Sequence, residues 1–263
     1  MSLVRLEAVG AGAVRLVLAR AAMHNALVPE LLDDLLDALR DLAQSADCAA
    51  VVLAADGPAF SIGGDMRRFQ RERQGNLHAY ADGLVGKLNQ AILALVDLPQ
   101  PVVAAVHGVV TGGSIGLVLA ADLVYLAPQA LFKAHYATAG FGPDGGWTAL
   151  AGRLAGPRRA AAALLLNRSV RAEEAVAWGL ANEVVAAERL QETATAAARK
   201  IAAYPVGTMR AAKALLRRDR DRLAADLEAE RRHFLELIAT PQALAGVDAF
   251  LHQFNDYPDS PDP

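Results

Sequence analysis

The chain has 263 residues, of which 54% are apolar and 21% charged, the composition of a soluble globular protein able to bury a large core. A net charge near −3 gives no electrostatic reason to expect a nucleic-acid partner, and a single cysteine, Cys48, excludes an internal disulfide. The first ten residues lack a basic flank followed by a signal-like apolar core. We therefore expect a cytoplasmic protein made of one large domain, or of one domain with an appendage.

The first hundred residues predict strands that alternate with helices. Two apolar segments flank the turn at Gly10, which is the pattern of a β-hairpin. A helix is expected to begin near Pro29, because proline suits the first helical turn. The predicted strands are 3–9, 14–18 and 50–54, and the predicted helices are 30–42 and 77–96. The charged segment from Arg67 to Asn76 is expected to be mobile or to lie on the surface.

Residues 101–122, PVVAAVHGVVTGGSIGLVLAAD, form the stretch around which the chain is organised. Val102 to Val106 has the length and branching of a strand buried on both faces, and the glycines that follow lead into an apolar helix. This order places backbone N–H groups at a helix start, where they are free to bind a ligand. Two prolines and a histidine disfavour a membrane span, and the lack of a lysine after the glycines disfavours a phosphate loop. Tight packing of helix on sheet stays open as an explanation.

The second half predicts two short strands and then helices almost to the end. The strands are expected at 122–126 and 130–133, followed by a glycine-rich turn at 139–147 and a helix that begins near Asp144. The later helices are expected at 155–166, 172–178, 190–203, 206–217 and 223–238. The tail from Asn255 is polar and rich in proline, which is typical of a frayed end. The whole pattern indicates an α/β domain with a helical C-terminal portion.

Three glycine-bearing segments, 59–66, 108–116 and 140–147, occur together in this order and spacing. They resemble the enoyl-CoA hydratase/isomerase (crotonase) superfamily, and most of all its 1,2-epoxyphenylacetyl-CoA and enoyl-CoA isomerase branch. The likeness covers most of the chain, from RAAMHNAL at 20–27 to AVAWGLANEVV at 175–185. It implies a spiral of ββα units, the ClpP/crotonase fold, in residues 1–200. It also implies a helical region in residues 201–263 that builds a homotrimer, often paired into a hexamer.

The resemblance further implies an acyl-CoA thioester as substrate, so that coenzyme A enters with the substrate and no separate cofactor or metal is expected. The thioester oxygen would lie between the backbone N–H groups of Gly64 and Gly113. Removing a proton next to a thioester carbonyl builds negative charge on this oxygen, and two fixed donors in a dry site stabilise that charge. Loss of one such donor typically costs about 3–4 kcal/mol of transition-state stabilisation.

The acids and bases of the family decide which reaction follows. Hydratases of the family use two glutamates, and the matching positions here are Gly116 and Tyr136, so hydration through that pair is not expected. Asp144 matches the aspartate of the isomerase branches, and one carboxylate suffices to move a proton from C2 to C4 of a 3-enoyl thioester. Its local sequence, Pro-Asp-Gly, is equally ordinary in a turn or at a helix N-cap. Tyr136 could donate to a substrate or simply fill the pocket.

The resemblance also implies which residues contact coenzyme A. Met23, Ile62 and Gly64 match loop positions that hold the adenine and pantetheine by main-chain contacts. Phe250 belongs to AFLHQ, which is similar to a C-terminal family segment that reaches a neighbouring subunit's coenzyme A. Gln253 replaces the lysine of that segment. Arg67, Arg68 and Lys213 are the candidates to replace the lost phosphate contact, although such side chains are usually only solvated.

The predicted function is therefore isomerisation of 3-enoyl-CoA to 2-enoyl-CoA, with Asp144 as the proton shuttle. The nearest alternative is a hydratase that positions water through Asp144 and Tyr136. A third possibility of a different class is a scaffold that binds coenzyme A and has no catalytic activity.

Overall fold

The computed structural model describes residues 2–217 and 219–255. Within these residues the chain forms nine strands and twelve α-helices. The strands are β1 (Val4–Gly10), β2 (Ala13–Leu18), β3 (Ala50–Ala55), β4 (Val102–Val106), β5 (Val109–Thr111), β6 (Leu123–Leu126), β7 (Leu131–Lys133), β8 (Val170–Arg171) and β9 (Glu183–Val184). The helices are α1 (Pro29–Gln44), α2 (Met66–Glu72), α3 (Leu77–Asp97), α4 (Ile115–Leu119), α5 (Tyr136–Ala139), α6 (Ala151–Ala155), α7 (Pro157–Leu165), α8 (Ala172–Ala177), α9 (Leu190–Ala202), α10 (Val206–Leu216), α11 (Arg220–Leu237) and α12 (Pro241–Asn255).

The strands form two sheets. The larger sheet has the order β1-β2-β3-β4-β6-β9, in which the predicted hairpin β1–β2 is antiparallel and every later pair is parallel. All residues of β3 and β4 are buried, as expected for parallel strands covered on both faces. The smaller sheet has the order β5-β7-β8. Because β5 follows β4 after only two residues, the chain passes from one sheet to the other just before the glycine turn.

Helices cover the larger sheet and form the hydrophobic core with it. Helix α1 begins at Pro29 as predicted, and its leucines at helical spacing turn into the core. Helix α1 packs on α3, α3 packs in turn on α11, and α9 lies against β2, β3, β4 and β6. Gly179, at φ +78°, follows α8 and closes it as expected. The α/β architecture predicted from the sequence is confirmed.

The segment from Arg67 to Asn76, predicted to be mobile or to lie on the surface, forms the helix α2 in its first half, and Phe69 is the buried residue of this helix. Asp65 caps this helix, since its Oδ1 accepts the N–H of Arg68 at 3.1 Å. Phe69 is 2% exposed and packs edge-on against the Tyr80 ring at 5.1 Å between centroids. The segment is highly charged, so nothing in its sequence indicated that Phe69 packs the helix against the rest of the protein.

The helix expected to begin near Asp144 is also misplaced. Residues 145–150 are a succession of turns, and α6 begins only at Ala151. The reason is local, because Gly145 and Gly146 both have positive φ, at +63° and +94°, and cannot form the first turn of an α-helix. Asp144 is therefore not a helix N-cap.

The C-terminal helices lie against the rest of the molecule. Helix α11 packs on α3, and α12 packs on α2 and α5. The division at residue 200 and the assembly role of the region after it stay predictions. Among the described residues no single helix is long and apolar enough to cross a membrane. One pair of helices, Arg220–Leu237 with Pro241–His252, is long and apolar enough when taken together, by length and composition alone, but is bent by 90°. The tail at 256–263 lies outside the described residues.

Candidate active site

One largely apolar pocket collects most of the residues predicted to form the site. Its empty space is about 620 Å³, a figure that includes open solvent at the mouth. Helices α2, α3, α5, α11 and α12 supply side chains to its wall, and two glycine loops supply backbone. The predicted site residues that line it are Ile62, Gly64, Gly113, Tyr136, Asp144 and Phe250. Met23 ends a 3₁₀ turn and is not among the lining residues.

The first glycine loop turns the N–H of Gly64 away from its neighbouring strand segment. Leu27 forms a parallel bridge to Gly64, in which the Leu27 N–H donates to the Gly63 carbonyl at 2.7 Å. The Leu27 carbonyl accepts from Asp65 N–H at 3.1 Å. These two bonds use the carbonyl of Gly63 and the N–H of Asp65, the residues on either side of Gly64. The N–H of Gly64 itself has no acceptor among the described residues.

The second loop places Gly113 at the start of a helix. Residues Gly112–Ser114 form a 3₁₀ turn that runs directly into α4, so the N–H of Gly113 belongs to the first turn and lacks a helical acceptor. The hydroxyl of Ser114 donates to the Thr111 carbonyl at 2.7 Å, and it also lies 3.2 Å from the carbonyl of Ser61. This contact and the bridge between Ser61 and Val110 tie the two glycine loops together.

Asp144 lies over the second loop. A Cβ atom added to Gly113 would lie 2.9 Å from Oδ2 of Asp144 and 2.7 Å from the Leu88 side chain, so only glycine fits beside this carboxylate. Asp144 is 7% exposed, and its Oδ1 accepts a 2.6 Å hydrogen bond from the hydroxyl of Tyr136. Removal from water raises the pKa of Asp144 to about 7, the Tyr136 bond opposes this rise, and the charge of Glu230 adds to it.

Tyr136 lies in the pocket wall, which is the second of the two roles that the sequence left open, and its hydroxyl is bound to a neighbouring side chain. It is buried at the start of α5, and its hydroxyl lies against Asp144. Burial raises the pKa of Tyr136 well above its ordinary value, and the nearby carboxylate of Asp144 raises this pKa further. The phenol therefore keeps its proton and acts as a hydrogen-bond donor.

The other position of the missing glutamates, Gly116, has no room for a side chain. A Cβ atom there would lie 2.2 Å from the Gly145 carbonyl and 2.4 Å from Cδ1 of Ile92. The close contact arises because the turn after Asp144 packs directly on the helix α4 that carries Gly116. A glutamate at this position would require the whole turn to move.

Glu230 is a buried residue of this region that sequence reasoning missed. It projects from α11 and is 5% exposed. Its carboxylate accepts the N–H groups of Gly146, Thr148 and Ala149 at 2.7, 2.7 and 2.9 Å, and the Thr148 hydroxyl at 2.5 Å. Its partners are more than 80 residues away in the sequence, and Glu230 lies within a charged stretch that reads as solvated, so no local signal identifies it.

The residues predicted to contact coenzyme A differ in their surroundings. The Ile62 N–H donates to the His24 carbonyl at 3.2 Å, and Phe250 packs edge-on against His135 at 5.6 Å between ring centroids. Lys213 is excluded as a phosphate contact, because its ammonium group is buried between the carbonyls of Leu95 and Gln100. The Gln253 side chain lies outside the described part of the chain.

The remaining basic candidates lie on α2, between the pocket residues Met66 and Phe69 in the sequence. Arg68 is engaged by Glu72 at 2.8 Å and by Glu30 at 3.6 Å. Arg67 is half-buried and has no ion-pair partner among the described residues. Of the three cations proposed from the sequence, Arg67 is thus the one that has no ion-pair partner within residues 2–217 and 219–252.

Comparison with known proteins identifies the family to which this fold and this sequence belong. Residues 9–258 match the family model described as enoyl-CoA hydratase/isomerase. The chain is 30% identical over 247 residues to the 1,2-epoxyphenylacetyl-CoA isomerase of Escherichia coli, covering 94% of each chain. It is 31% identical over 186 residues to 4-chlorobenzoyl coenzyme A dehalogenase-2 of an Arthrobacter species, covering 71% of this chain and 67% of that one.

A solved structure shows the same fold. The enoyl-CoA hydratase of Bacillus halodurans is 24% identical and superposes with a TM-score of 0.88 over 94% of this chain and 100% of that one. An isomerase, a dehalogenase and a hydratase thus share the fold or the sequence pattern, and likeness alone does not select among their reactions. The family itself follows from the match along nearly the whole chain. This chain belongs to the enoyl-CoA hydratase/isomerase family.

Proposed function

We propose that this protein isomerises a 3-enoyl-CoA to a 2-enoyl-CoA, with Asp144 as the only proton-transferring group. The observation that carries the proposal is the position of one buried carboxylate beside Gly113, in a pocket where both positions of the usual hydratase glutamates lack a carboxylate. Isomerisation adds and removes no atom, so a single group that accepts and returns one proton is sufficient.

The reaction begins with Asp144 as a carboxylate. One of its oxygens takes a proton from C2, and the electron pair of the broken C–H bond forms a dienolate with its charge on the thioester oxygen. The N–H groups of Gly64 and Gly113 donate to that oxygen. Asp144, now protonated, returns the proton to C4, and the double bond moves from C3–C4 to C2–C3.

The electrostatics of the pocket suit this cycle. A pKa of about 7 means that Asp144 is present in both protonation states near neutral pH, so it can accept a proton and release it again. The apolar wall also excludes water, which strengthens the hydrogen bonds to the developing oxyanion.

Two alternatives are less well supported. A hydratase needs a second acid or base to hold water. The Tyr136 hydroxyl already donates its hydrogen bond to Asp144, and Gly116 has no space for a side chain. A scaffold that only binds coenzyme A would have no need for a buried, unpaired carboxylate oxygen in the pocket, since such a group costs stability.

We further propose that coenzyme A lies along Ile62 and Gly64, with Phe250 at the pocket wall and Arg67 near its phosphates. The protein would act in the cytoplasm as a homotrimer, or as a hexamer of two trimers. These features rest on family resemblance, on the lining of the pocket and on the lack of an ion-pair partner for Arg67 within residues 2–217 and 219–252.

The test is incubation of the pure protein in D2O with 3-enoyl-CoA and 2-enoyl-CoA substrates, beside its Asp144→Asn variant. The expected result is conversion of 3-enoyl-CoA to 2-enoyl-CoA with wild type only and without a hydroxyacyl product, and deuterium enters C2 or C4 to the extent that protonated Asp144 exchanges with solvent before it returns the proton. Hydroxyacyl-CoA would support the hydratase, and binding of coenzyme A with neither isomerisation nor exchange across a range of acyl chains would support the scaffold. Because asparagine cannot accept the proton, the variant should lose at least about 100-fold in rate.

A further inference from the structure

A second buried carboxylate, that of Glu230, is bound to the loop that carries Asp144 but has no part in the proton transfer described above. All four of its hydrogen-bond partners donate, three of them backbone N–H groups of residues 146–149. This is the arrangement that an ionised carboxylate requires. Glu230 thus joins α11 to the turn immediately after Asp144.

That turn is in direct contact with the second glycine loop, which carries Gly113. Gly145 has φ +63°, and a Cβ atom there would lie 2.2 Å from the carbonyl oxygen of Gly113. The two backbones are in direct contact, so a shift of the turn would change the distance between Asp144 and Gly113. Position on this scale matters, because small misplacements of a catalytic group lower rates strongly.

Tyr136 restrains the same carboxylate from the opposite side. Its hydroxyl donates to Oδ1 of Asp144, while Oδ2 accepts no hydrogen bond among the described residues. Both oxygens lie close to Gly113, at 3.0 and 2.9 Å from where a Cβ atom of that residue would be, so the hydrogen bond is what distinguishes them. A phenol has one proton to donate, and the 2.6 Å bond to Oδ1 is shorter than the 3.0 Å contact to the Asp144 carbonyl.

We propose that Glu230 is a positioning residue that clamps the loop of Asp144, while Tyr136 covers Oδ1, so that Oδ2 alone faces the substrate. The inference rests on the proposed function, which it deepens by naming the reactive oxygen and the two groups that set it. Glu230 acts on Asp144 through the loop and through its charge, and touches no substrate.

The two groups affect the acidity of Asp144 in opposite directions. The Tyr136 hydrogen bond favours the charged form and lowers the pKa of Asp144, whereas the negative charge of Glu230 raises it. Of the other groups around the pocket, His135 has its pKa lowered to about 4 by burial and is neutral near pH 7. Asp65, next to the first glycine loop, is paired with Arg20 at 2.9 Å.

The experiment is a pH–rate profile of isomerisation for full-length wild type, Glu230→Gln and Tyr136→Phe. Glu236→Gln is the matched control, because Glu236 lies on the same helix but is 66% exposed. Wild-type rate should rise with pH through about 7, as Asp144 ionises. The apparent pKa should fall by about 0.5 to 1 in Glu230→Gln and rise by about 1 in Tyr136→Phe, and stay unchanged in the control.

A purely structural role would lower the rate of both variants at every pH and leave the apparent pKa where it is, and this result would overturn the proposal. If Glu230→Gln does not fold, Thr148→Val replaces it, because this variant removes one of the four donors to Glu230 and should lower the rate, whereas an unchanged rate would reject the clamp. Tyr136→Phe must still raise the apparent pKa.

A second readout does not depend on turnover. Each variant is compared with its Asp144→Asn double variant by thermal unfolding from pH 5 to pH 9, and the pH at which the two melting curves diverge reports the ionisation of Asp144. Opposite displacements in the two variants would support the positioning of Asp144 even if wild type turned over no enoyl thioester, a result that would reject only the proposed function. Equal displacements would reject the positioning.

Discussion

At the scale of single residues, the site is built around a carboxylate that the fold makes weakly acidic. Asp144 combines near-complete burial with one hydrogen bond, and burial has the larger effect on its pKa. A group whose pKa is raised in the folded state stabilises the fold fully below its unfolded pKa, here 3.8, and this contribution is lost as pH rises to about 7. The carboxylate thus costs stability at the pH where it is useful.

Asp144→Asn should accordingly stabilise the protein at alkaline pH. Asparagine is neutral and can still accept the Tyr136 hydrogen bond, so the cost of a buried charge disappears while the contact remains. Relative to wild type, the free energy of unfolding should increase by about 3 kcal/mol between pH 5 and pH 8. Urea titrations at the two pH values measure this change, and a difference that is independent of pH would mean that Asp144 ionises normally.

Gly113→Ala tests the tight contact on the other side of the carboxylate. The added methyl group would meet the Leu88 side chain at 2.7 Å and Asp144 Oδ2 at 2.9 Å, and it must push at least one of them away. We expect a loss of kcat/KM of at least about 100-fold, since a displaced donor or base acts like a missing one.

The control for Gly113→Ala is Gly86→Ala, in α3, where no atom lies within 4 Å of the added Cβ. It should leave kcat/KM unchanged and stabilise the helix by about 0.5–1 kcal/mol. Equal activity in the two variants would show that the space beside Gly113 is not used in catalysis.

At the scale of secondary structure, elements with strong local patterns were predicted within a residue or two. Strand β4 has the predicted bounds, and α1 begins at Pro29, because continuous apolar residues and a proline at the first turn act locally. Errors occurred where the backbone is irregular or where a contact is distant in the sequence. The two glycines after Asp144 prevent a helix from beginning there, and Phe69, the buried residue of α2, packs on rings such as that of Phe234, which lies far along the chain.

The site follows the same rule. Its glycines and Asp144 lie in short motifs that the sequence displays, and the structure brings them to one pocket. The pairing of Tyr136 with Asp144 spans only eight residues, yet the left-handed turn at His135 and the glycines between them give no periodicity from which to predict it. Side-chain partners across irregular backbone become visible only in three dimensions.

Lys213 shows how one buried cation holds an entire element. It joins α10 to the loop after α3, since its ammonium group donates to the carbonyls of Leu95 and Gln100 at 3.0 Å and pairs with Asp122 at 3.1 Å. Lys213→Met should lower the free energy of unfolding by about 2–4 kcal/mol, because it leaves buried acceptors without a donor. Urea unfolding measures this, with Lys200→Met on the exposed face of α9 as the control. Equal stability of the two variants would contradict the argument.

At the scale of the whole molecule, leucine side chains are exposed to solvent at the ends of two helices. Leu165 and Leu166 follow one another at the end of α7, with 80% and 75% exposure, and Leu215 and Leu216 end α10, with 59% and 81% exposure. Burying one leucine is worth about 1.5–3 kcal/mol, so each pair favours a contact with another copy of the chain. This is an independent reason to expect an oligomer, beyond family resemblance.

The expected assembly is a trimer or hexamer in sedimentation velocity. Replacing Leu165 and Leu216 by glutamine should shift the protein towards smaller species. Burial of a leucine at an interface favours association, whereas burial of an amide group removes its water and costs free energy. Leu6→Gln, on strand β1, is a suitable control, since Leu6 is 43% exposed and lies far from these helix ends in the sequence. Unchanged sedimentation of the double variant, with wild type oligomeric, would place the interface elsewhere on the surface. A monomeric wild type would instead remove the proposed assembly altogether and leave the pocket of one chain to form the complete site.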